Sequence, residues 1–271
     1  MKILIVSGFL GAGKTTFIKR LARNVDQRFA ILENEYGAAG IDGARLGQNR
    51  QGTQKNVWEM TEQCICCIGK KDFAASVLTI ANVVDPEYLI VEPTGVGSLA
   101  RIIENLRQIE YERIQLLSPV TIVDVYSYRR YMAEYPELYQ DQIRSADTII
   151  VSKTEACQAE EKQRIQKFLQ EINSQAKIIT DYASTMTRED YQSLLLGSRY
   201  EKKVQDTQSG EKMPETFSFE NIRMEAPETL WCFLEQIIRG AFGNIIRAKG
   251  QFAAGDQFLQ FDVADHRYSI T

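Results

Sequence analysis

The chain has 271 residues, of which 44% are hydrophobic and 25% charged, as in an ordinary globular protein with a substantial core. Its formal net charge of −4 gives no basic footprint, so nucleic acid is not an expected partner. The N-terminal run MKILIVSGF is too short to cross a membrane, and it leads into a glycine-rich loop rather than a signal-peptide cleavage site. We therefore expect a cytoplasmic protein with no membrane partner, whose five cysteines are free thiols.

Apolar runs typical of buried strands alternate with helical patterns along most of the chain. The predicted strands are ILIVSGF, FAILENEY, NVWEMTE, YLIVEPT, PVTIVDVYSY, DTIIVSK and AKIITDYA. The predicted helices cover residues 13–23, 71–84, 98–108, 129–146 and 155–173. This alternation predicts an α/β fold with a mostly parallel sheet flanked by helices.

The C-terminal part of the sequence has a different pattern. Residues 200–216 (YEKKVQDTQSGEKMPET) are polar and include Gly and Pro, which is typical of a linker. The remaining residues, 217–271, predict a strand (FSFENIRM), a helix and two further strands. We therefore expect a small C-terminal α+β subdomain after a larger domain that covers residues 1–199.

The stretch GFLGAGKTT matches the phosphate-binding pattern GxxxxGK[ST] and lies between a predicted strand and a predicted helix. Glycines let successive N–H groups point at phosphate oxygens, and the N-terminus of the helix adds positive potential. Lys14 is expected to reach the β- and γ-phosphates, and Thr15 to bind Mg²⁺. The predicted nucleotide-binding residues here are Gly8, Gly11, Ala12, Gly13, Lys14, Thr15 and Thr16. The alternative interpretation is a glycine-rich turn that binds nothing.

A second acidic group is expected at the end of a neighbouring strand, where it would help to hold the Mg²⁺. YLIVEPTG places Glu92 after four apolar residues and Gly95 three positions later. Many GTPases carry Asp-x-x-Gly at this place, with the glycine amide next to the γ-phosphate. Glu92 and Gly95 therefore join Lys14 and Thr15 as the predicted catalytic residues; an ordinary exposed glutamate at a strand end is the alternative.

IIVSKTEA places Ser152, Lys153 and Glu155 where GTPases carry Asn-Lys-x-Asp. A carboxylate accepts hydrogen bonds from N1 and N2 of guanine, and adenine offers no such pair of donors. Glu155 is one methylene longer than aspartate, and Ser152 is expected to brace the phosphate loop less well than asparagine. These three residues are predicted to bind the base of GTP or GDP. The alternative is an ordinary helix start capped by Ser152 or Thr154.

Three of the five cysteines, Cys64, Cys66 and Cys67, lie together in QCICCIGKK. Thiolates suit Zn²⁺ and Cu⁺ and, less selectively, Co²⁺, and three ligands leave a fourth position open for exchange. Packing in a core and a redox switch are the alternatives. Cys157 and Cys232 lie on apolar helix faces and are predicted to be core residues. The one histidine, His266, is predicted to have a structural role.

With GFLGAGKTT, ENEYG, CICC, EPTG and RAKG in this order, the chain resembles the CobW-type P-loop GTPases (CobW/HypB/UreG-like), a family linked to metal delivery. The resemblance implies a P-loop GTPase domain over residues 1–199 and a short CobW-type C-terminal subdomain. It implies a transition metal, Zn²⁺ or Co²⁺, at Cys64, Cys66 and Cys67. Ala38 replaces the acid that relatives usually carry after ENEYG. Glu35 remains a candidate metal ligand, and a capping role or a surface ion pair is an equal alternative.

These observations predict a Mg²⁺-dependent GTPase that couples GTP binding and hydrolysis to the binding and delivery of a metal through its three clustered cysteines. The expected partner is a client metalloenzyme or cofactor protein, and a nucleotide-dependent homodimer is a further expectation. One alternative is a GTP-driven chaperone that loads or reactivates a cofactor enzyme, such as a corrinoid enzyme, without carrying metal. Another is a small-molecule kinase, although the sequence has no arginine-rich lid segment.

Overall fold

Parallel strands and the helices between them make up most of the fold. The structure is a computed structural model that describes residues 1–27, 29–35, 57–63, 70–197, 199–202, 217, 219, 226–254, 257–264 and 266–271. The strands of the larger sheet are β1 (Lys2–Gly8), β2 (Phe29–Glu35), β3 (Val57–Gln63), β4 (Tyr88–Glu92), β5 (Gln115–Leu116), β6 (Val120–Asp124), β7 (Thr148–Ser152) and β8 (Lys177–Ile179). They pair in parallel in the order β3-β2-β4-β1-β6-β7-β8, with β5 beside the start of β1.

Helices lie between these strands and after β8, and they pack on both faces of the sheet. They are α1 (Lys14–Asn24), α2 (Lys70–Val83), α3 (Leu99–Arg107), α4 (Tyr128–Glu134), α5 (Pro136–Arg144), α6 (Ala159–Ile172), α7 (Tyr182–Thr185) and α8 (Arg188–Leu196). Alternate residues of β1 point to opposite faces. Ile3 and Ile5 are buried with α2 and α3, whereas Leu4 and Val6 are buried with α1 and α8. The expected α/β fold with a mostly parallel sheet flanked by helices is confirmed.

The direction of the strands determines where a site can form. Because the strands are parallel, their C-terminal ends meet at one edge of the sheet. The neighbouring strands β4, β1, β6 and β7 end there at Glu92, Gly8, Asp124 and Ser152. Four separate parts of the sequence thus contribute residues to the same edge.

The single helix predicted over residues 129–146 is wrong, because the chain forms two helices there. Tyr135 has φ −137° and ψ 58°, which is outside the helical region, and Pro136 is the first residue of α5. Proline has no N–H to donate within a helix, but it is well suited to the first helical position. The helical conformation is therefore interrupted at Tyr135, and a second helix, α5, begins at Pro136.

The helices after β7 also differ from the predictions. The helix predicted over 155–173 begins only at Ala159, after Gln158 in an extended conformation. The helices α7 and α8 were missed, although Thr187 and Asp190 form a reciprocal capping box at the start of α8. Helix α8 has few apolar residues near its N-cap, Thr187, so its apolar periodicity is too weak to predict a helix.

The described residues form two compact units, one within residues 1–214 and one within residues 215–271. Most of the predicted linker, residues 203–216 of 200–216, lies outside the described residues. Its first residue, Tyr200, is buried in the core of the first unit. The predicted strand FSFENIRM also lies outside them, apart from residues 217 and 219.

The smaller unit consists of a helix and an antiparallel sheet. Its helix is α9 (Pro227–Ile238), and its strands are β9 (Arg247–Ala254), β10 (Gln257–Ala264) and β11 (Arg267–Ile270). Leu230, Leu234 and Ile237 of α9 pack against Val263 of β10. The α+β character is confirmed, but the helix is followed by three strands rather than the two predicted. Within the described part of the chain, no helix has both the length and the apolar character needed to cross a membrane.

Candidate nucleotide-binding site

The loop between β1 and α1 contains the glycine-rich motif. Gly8, Gly11 and Gly13 have φ values of 144°, 71° and 98°, which residues with a side chain rarely adopt. A Cβ at Gly8 would also overlap the carbonyl group of Ile122 on β6. The chain therefore turns tightly at the C-terminal end of the central strand, and the turn requires glycine at these positions.

Lys14 and the two threonines follow this turn at the start of α1. Lys14 is only 6% exposed, and its Nζ donates to the carbonyl oxygens of Gly8 at 3.0 Å and Phe9 at 3.5 Å. Its ammonium group is thus held across its own loop, where phosphate oxygens would be stronger, charged partners. Thr15 is partly buried, whereas Thr16 is exposed.

Glu92 lies directly beside Thr15. The Thr15 hydroxyl donates to Glu92 Oε1 at 3.0 Å and lies 3.3 Å from Oε2. This contact is possible because β4 and β1 are neighbours, with Val91 opposite Ile5. A hydroxyl and a carboxylate are the oxygen ligands that Mg²⁺ prefers, so this pair fits a magnesium ion that also binds phosphate.

The segment after Glu92 packs against the phosphate loop. Gly95 is buried, and a Cβ at this position would lie within 2.8 Å of both Leu10 Cα and the Phe9 carbonyl carbon. No side chain fits in this space. The backbone of the Glu-x-x-Gly motif is thereby held against the loop that is predicted to bind phosphate.

Helix α5 holds this segment from the other side, which the sequence analysis did not anticipate. Gln142 donates through Nε2 to the carbonyl oxygens of Gly95 and Gly97, at 3.1 and 3.0 Å. Asp141 Oδ2 accepts from the backbone N–H groups of Leu99 and Ala100, at the start of α3. The available signal was weak: Gln142 follows the buried Leu138 by one helical turn, so a polar side chain falls on an apolar face.

Aromatic side chains from α4, from α5 and from Tyr135 between them lie close to Phe9 of the phosphate loop. The ring centroid of Phe9 lies 4.2 Å from that of Tyr131, 5.5 Å from that of Tyr135 and 5.8 Å from that of Tyr139. The Tyr131 hydroxyl donates to the Leu10 carbonyl at 3.4 Å. Burial raises the pKa of Tyr139 well above its ordinary value, and the nearby Asp124 adds to this effect. Tyr139 is therefore a neutral packing residue beside the loop.

The predicted base-binding residues follow β7. Ser152 is buried, and its hydroxyl donates to the Ala12 carbonyl at 2.6 Å and lies 3.3 Å from the Val123 carbonyl. Serine was expected to brace the loop less well than asparagine, yet Ser152 makes a direct hydrogen bond to it. The alternative in which Ser152 or Thr154 caps a helix is wrong, because Gln158 occupies the N-cap position.

Lys153 and Glu155 have different surroundings. Lys153 has φ 61°, and its ammonium group pairs with Asp124 Oδ2 at 2.5 Å. Asp124 Oδ1 also accepts from the Tyr126 N–H at 2.9 Å. Glu155 is exposed in the turn before α6. The neighbouring strand β8 ends at Ile179, so the loop that follows it borders the same region.

The predicted transition-metal ligands Cys64, Cys66 and Cys67 lie outside the described residues, as does Ala38. Strand β3 ends at Gln63, one residue before Cys64, and Gln63 is opposite Glu35 in β2. The side chain of Glu35 also lies outside the described residues. Among the side chains that the structure does describe, no group of three His, Cys, Asp or Glu residues is placed to hold a metal.

The remaining cysteines and the histidine are far from these residues in sequence. The prediction that Cys157 and Cys232 are core residues is wrong, because Cys232 is exposed and Cys157 is only partly buried, in the loop before α6. Partial burial raises the pKa of the Cys157 thiol, with Glu161 adding to this effect. His266 lies in the turn between β10 and β11, with Nδ1 3.3 Å from the Ile238 carbonyl, which agrees with a structural role.

The chain is similar to known proteins over most of its larger unit. A family model described as "CobW/HypB/UreG, nucleotide-binding domain" matches residues 2–180. The zinc chaperone YeiR of Escherichia coli is 30% identical over 178 residues, which is 65% of this chain and 53% of YeiR. The zinc chaperone CobW of Pseudomonas aeruginosa is 27% identical over 209 residues, covering 66% of this chain and 56% of that protein. These alignments thus span about half the length of the curated relatives.

A solved structure supports the fold as well. The Zn(II)-bound YjiA GTPase from E. coli superposes with a TM-score of 0.54 at 18% sequence identity, over 100% of this chain and 88% of YjiA. At this identity the similarity concerns the fold, which is that of a P-loop protein with an additional C-terminal unit.

Proposed function

Because the chain belongs to the CobW/HypB/UreG family, we propose that it is a Mg²⁺-dependent GTPase that binds a transition metal and delivers it to a client protein. The metal would be carried by Cys64, Cys66 and Cys67, and the nucleotide state would control its release. The client would be a metalloenzyme or a cofactor protein. Family membership alone does not establish these activities for this chain, because the alignments cover only about half the length of the curated relatives.

One observation carries the nucleotide half of the proposal. The Thr15 hydroxyl and the Glu92 carboxylate, at 3.0 Å, bring two hard oxygen ligands together at the start of the helix that follows the glycine turn. Lys14 is buried in the same loop. Phosphate-binding loops that hydrolyse nucleotides need this combination of a lysine, a hydroxyl ligand and an acidic group.

Each of these residues has a definite role in the proposed reaction. Lys14 would exchange the carbonyls of Gly8 and Phe9 for β- and γ-phosphate oxygens, since its donors are then paired with negative charge. Thr15 and Glu92 would hold Mg²⁺, and Glu92 would also orient the water that attacks. When bound, Mg²⁺ neutralises the charge that develops on the phosphate oxygens. The Gly95 amide would contact the γ-phosphate.

Base recognition would use the residues at the end of β7. Ser152 donates to the Ala12 carbonyl of the phosphate loop, so a direct hydrogen bond joins the residues proposed to bind the base to those proposed to bind phosphate. Glu155 would accept hydrogen bonds from N1 and N2 of guanine, which supports GTP rather than ATP as the substrate. Replacing Glu155 with Gln should therefore reduce the preference for GTP over ATP. Glu160→Gln, an exposed glutamate in the first turn of α6, is the matched control.

The metal half of the proposal rests on thiolate chemistry. Three thiolates suit Zn²⁺, and the two aligned relatives are named zinc chaperones, so we propose zinc ahead of cobalt. Gln63, which precedes Cys64 in the sequence, ends β3 at the edge of the sheet where Glu92 ends β4, two strands away. We propose that a change at the γ-phosphate is passed from Glu92 through β4 and β2 to the end of β3. Glu35, at the end of β2, remains a candidate fourth ligand.

We also propose a cytoplasmic location, where thiols remain reduced, and a nucleotide-dependent homodimer. Nucleic acid is not a proposed partner, since the net charge of −4 would oppose binding to phosphate backbones.

Two measurements test this function. Hydrolysis of GTP should require Mg²⁺ and stop in EDTA, and ATP should be a poorer substrate; equal turnover of both nucleotides would contradict the base assignment. Elemental analysis should find zinc in the wild-type protein and none after Cys64, Cys66 and Cys67 are all changed to Ser. The matched control changes Cys157 and Cys232 to Ser, which should leave the zinc content unaltered. Activation of a client by the triple variant would instead favour a chaperone that carries no metal.

A further inference from the structure

Gln142 is buried, with 1% of its surface exposed, and it is not one of the residues in the nucleotide-binding motifs. Its side-chain amide donates to two backbone carbonyls, those of Gly95 and Gly97. Its Oε1 has no hydrogen-bond partner among the described residues. A buried acceptor without a partner is unfavourable, so packing alone does not explain a glutamine at this position. The two donated hydrogen bonds do.

These hydrogen bonds act on the peptide group that the proposed function uses. The Gly97 N–H donates to the Thr94 carbonyl at 3.0 Å, closing a turn over residues 94–97. The Thr94 carbonyl and the Gly95 N–H belong to one planar peptide group and point in opposite directions. Since Gln142 holds the Gly95 and Gly97 carbonyls, it fixes the turn and with it the direction of the Gly95 N–H. That N–H is the group proposed to contact the γ-phosphate.

Helix α5, which carries Gln142, is itself held in place by buried side chains and a hydrogen bond. Leu138, Tyr139 and Ile143 on the same helix are buried, and Asn173 Nδ2 donates to the carbonyl of Ile143 at 2.8 Å. Asp141, next to Gln142, accepts from the first N–H groups of α3 and so fixes where the turn ends. The segment from Glu92 to α3 is thus supported at its middle and at its end by adjacent residues of one helix.

We infer that Gln142 is a positioning residue that aims the Gly95 N–H at the γ-phosphate and so allows the protein to distinguish GTP from GDP. The inference rests on the proposed function. It predicts an effect on triphosphate binding alone, because GDP has no group at that position. A residue that merely stabilised the fold would affect both nucleotides equally.

The test compares Gln142→Met with Gln140→Met, which removes an amide from the same helix without touching the turn. Dissociation constants for a non-hydrolysable GTP analogue and for GDP are measured with Mg²⁺ on each protein. For Gln142→Met the analogue should bind roughly tenfold more weakly, as expected when one hydrogen bond, from the Gly95 N–H to the γ-phosphate, is weakened or lost. GDP should bind within about twofold of its wild-type affinity. Gln140→Met should match wild type for both nucleotides.

Partial unfolding changes both constants by the same factor and leaves their ratio unaltered. If Gln142→Met does not fold, Gln142→Asn serves as the second variant, since its shorter amide cannot reach both carbonyls. An unchanged ratio in the folded variant, or an equal change in Gln140→Met, would overturn the inference while leaving the proposed function intact. Failure of the wild-type protein to bind either nucleotide would overturn both.

Discussion

Thr15 and Glu92 are 77 positions apart in the sequence, yet the Thr15 hydroxyl donates to Glu92 Oε1 at 3.0 Å. The contact joins the first turn of α1 to the last residue of β4. It brings together a hydroxyl and a carboxylate, the two oxygen ligands that we propose for a phosphate-bound Mg²⁺. We propose that this pair is the centre of the nucleotide-binding site.

Replacing Glu92 with Gln should weaken Mg²⁺ binding about 10- to 100-fold, because an amide is a poorer partner for the metal and its ligands. Turnover at limiting Mg²⁺ should fall with it, and added Mg²⁺ should restore part of the activity. The measurement is GTP hydrolysis across a Mg²⁺ titration. Glu104→Gln changes an exposed glutamate of α3 and should behave as wild type. An unaltered Mg²⁺ dependence in Glu92→Gln would remove Glu92 from the site.

Replacing Gly95 with Ala should disturb the contact between the Glu-x-x-Gly segment and the phosphate loop. The added methyl group would overlap Leu10 and Phe9, so one of the two segments has to move. Overpacking of this kind costs about 1–3 kcal/mol of stability, and a displacement of about 1 Å can reduce turnover about 100-fold.

The measurements for Gly95→Ala are urea denaturation and GTP hydrolysis. Gly197→Ala is the control, because a Cβ there meets nothing closer than 3.4 Å. If both alanine variants kept full activity, Gly95 would have no role in the reaction.

Replacing Ser152 with Ala should weaken the binding of GTP and GDP alike, roughly tenfold, because the buried Ala12 carbonyl loses its donor. The equal effect on both nucleotides follows from the position of Ser152, which braces the loop rather than contacting the γ-phosphate. Titration with fluorescent nucleotides measures it. Ser193→Ala removes a hydroxyl that donates to the Asp190 carbonyl on the exposed side of α8 and serves as control. A loss confined to GTP would speak against a bracing role.

Tyr200 should make stability depend on alkaline pH. Burial raises the pKa of Tyr200 to about 12, and Asp147 adds to this effect. The pKa of a tyrosine in an unfolded chain is about 10. The folded state therefore keeps the proton longer. The stabilisation it gives is complete below about pH 10 and is lost as the pH rises towards 12.

Tyr200→Phe should lose about 1 kcal/mol at pH 7, since its hydrogen bond to the Ser145 carbonyl is removed. Its stability should then fall less steeply between pH 10 and pH 12 than that of wild type, as measured by urea denaturation. Tyr111→Phe, at an exposed tyrosine, should leave the pH profile unchanged. Equal slopes for all three proteins would show that Tyr200 does not titrate in this way.

The parts of the site that could be predicted are those with a local pattern. The phosphate loop is one continuous stretch, and Glu92 and Ser152 each end an apolar strand that is easily recognised. The parallel sheet then brings these strand ends together without further information.

The parts that could not be predicted depend on tertiary contacts. Gln142 resembles any glutamine in a helix until α5 is packed beside residues 95–97, and the break at Tyr135 that gives α5 its position is signalled only by the following proline. The hydroxyl of Ser152 reaches Ala12 only because β7 and the phosphate loop end at the same edge. Such contacts depend on side-chain directions, which a pattern of apolar residues does not contain.

We propose that the nucleotide state sets the zinc affinity of Cys64, Cys66 and Cys67. Zn²⁺ should be titrated into the reduced protein with a competing chelator, in the presence of a non-hydrolysable GTP analogue, of GDP, and of no nucleotide. We predict dissociation constants for Zn²⁺ that differ about 5- to 150-fold between the analogue and GDP, as expected for a coupling free energy of about 1–3 kcal/mol. Identical zinc affinity in all three conditions would show that the nucleotide does not control the metal site.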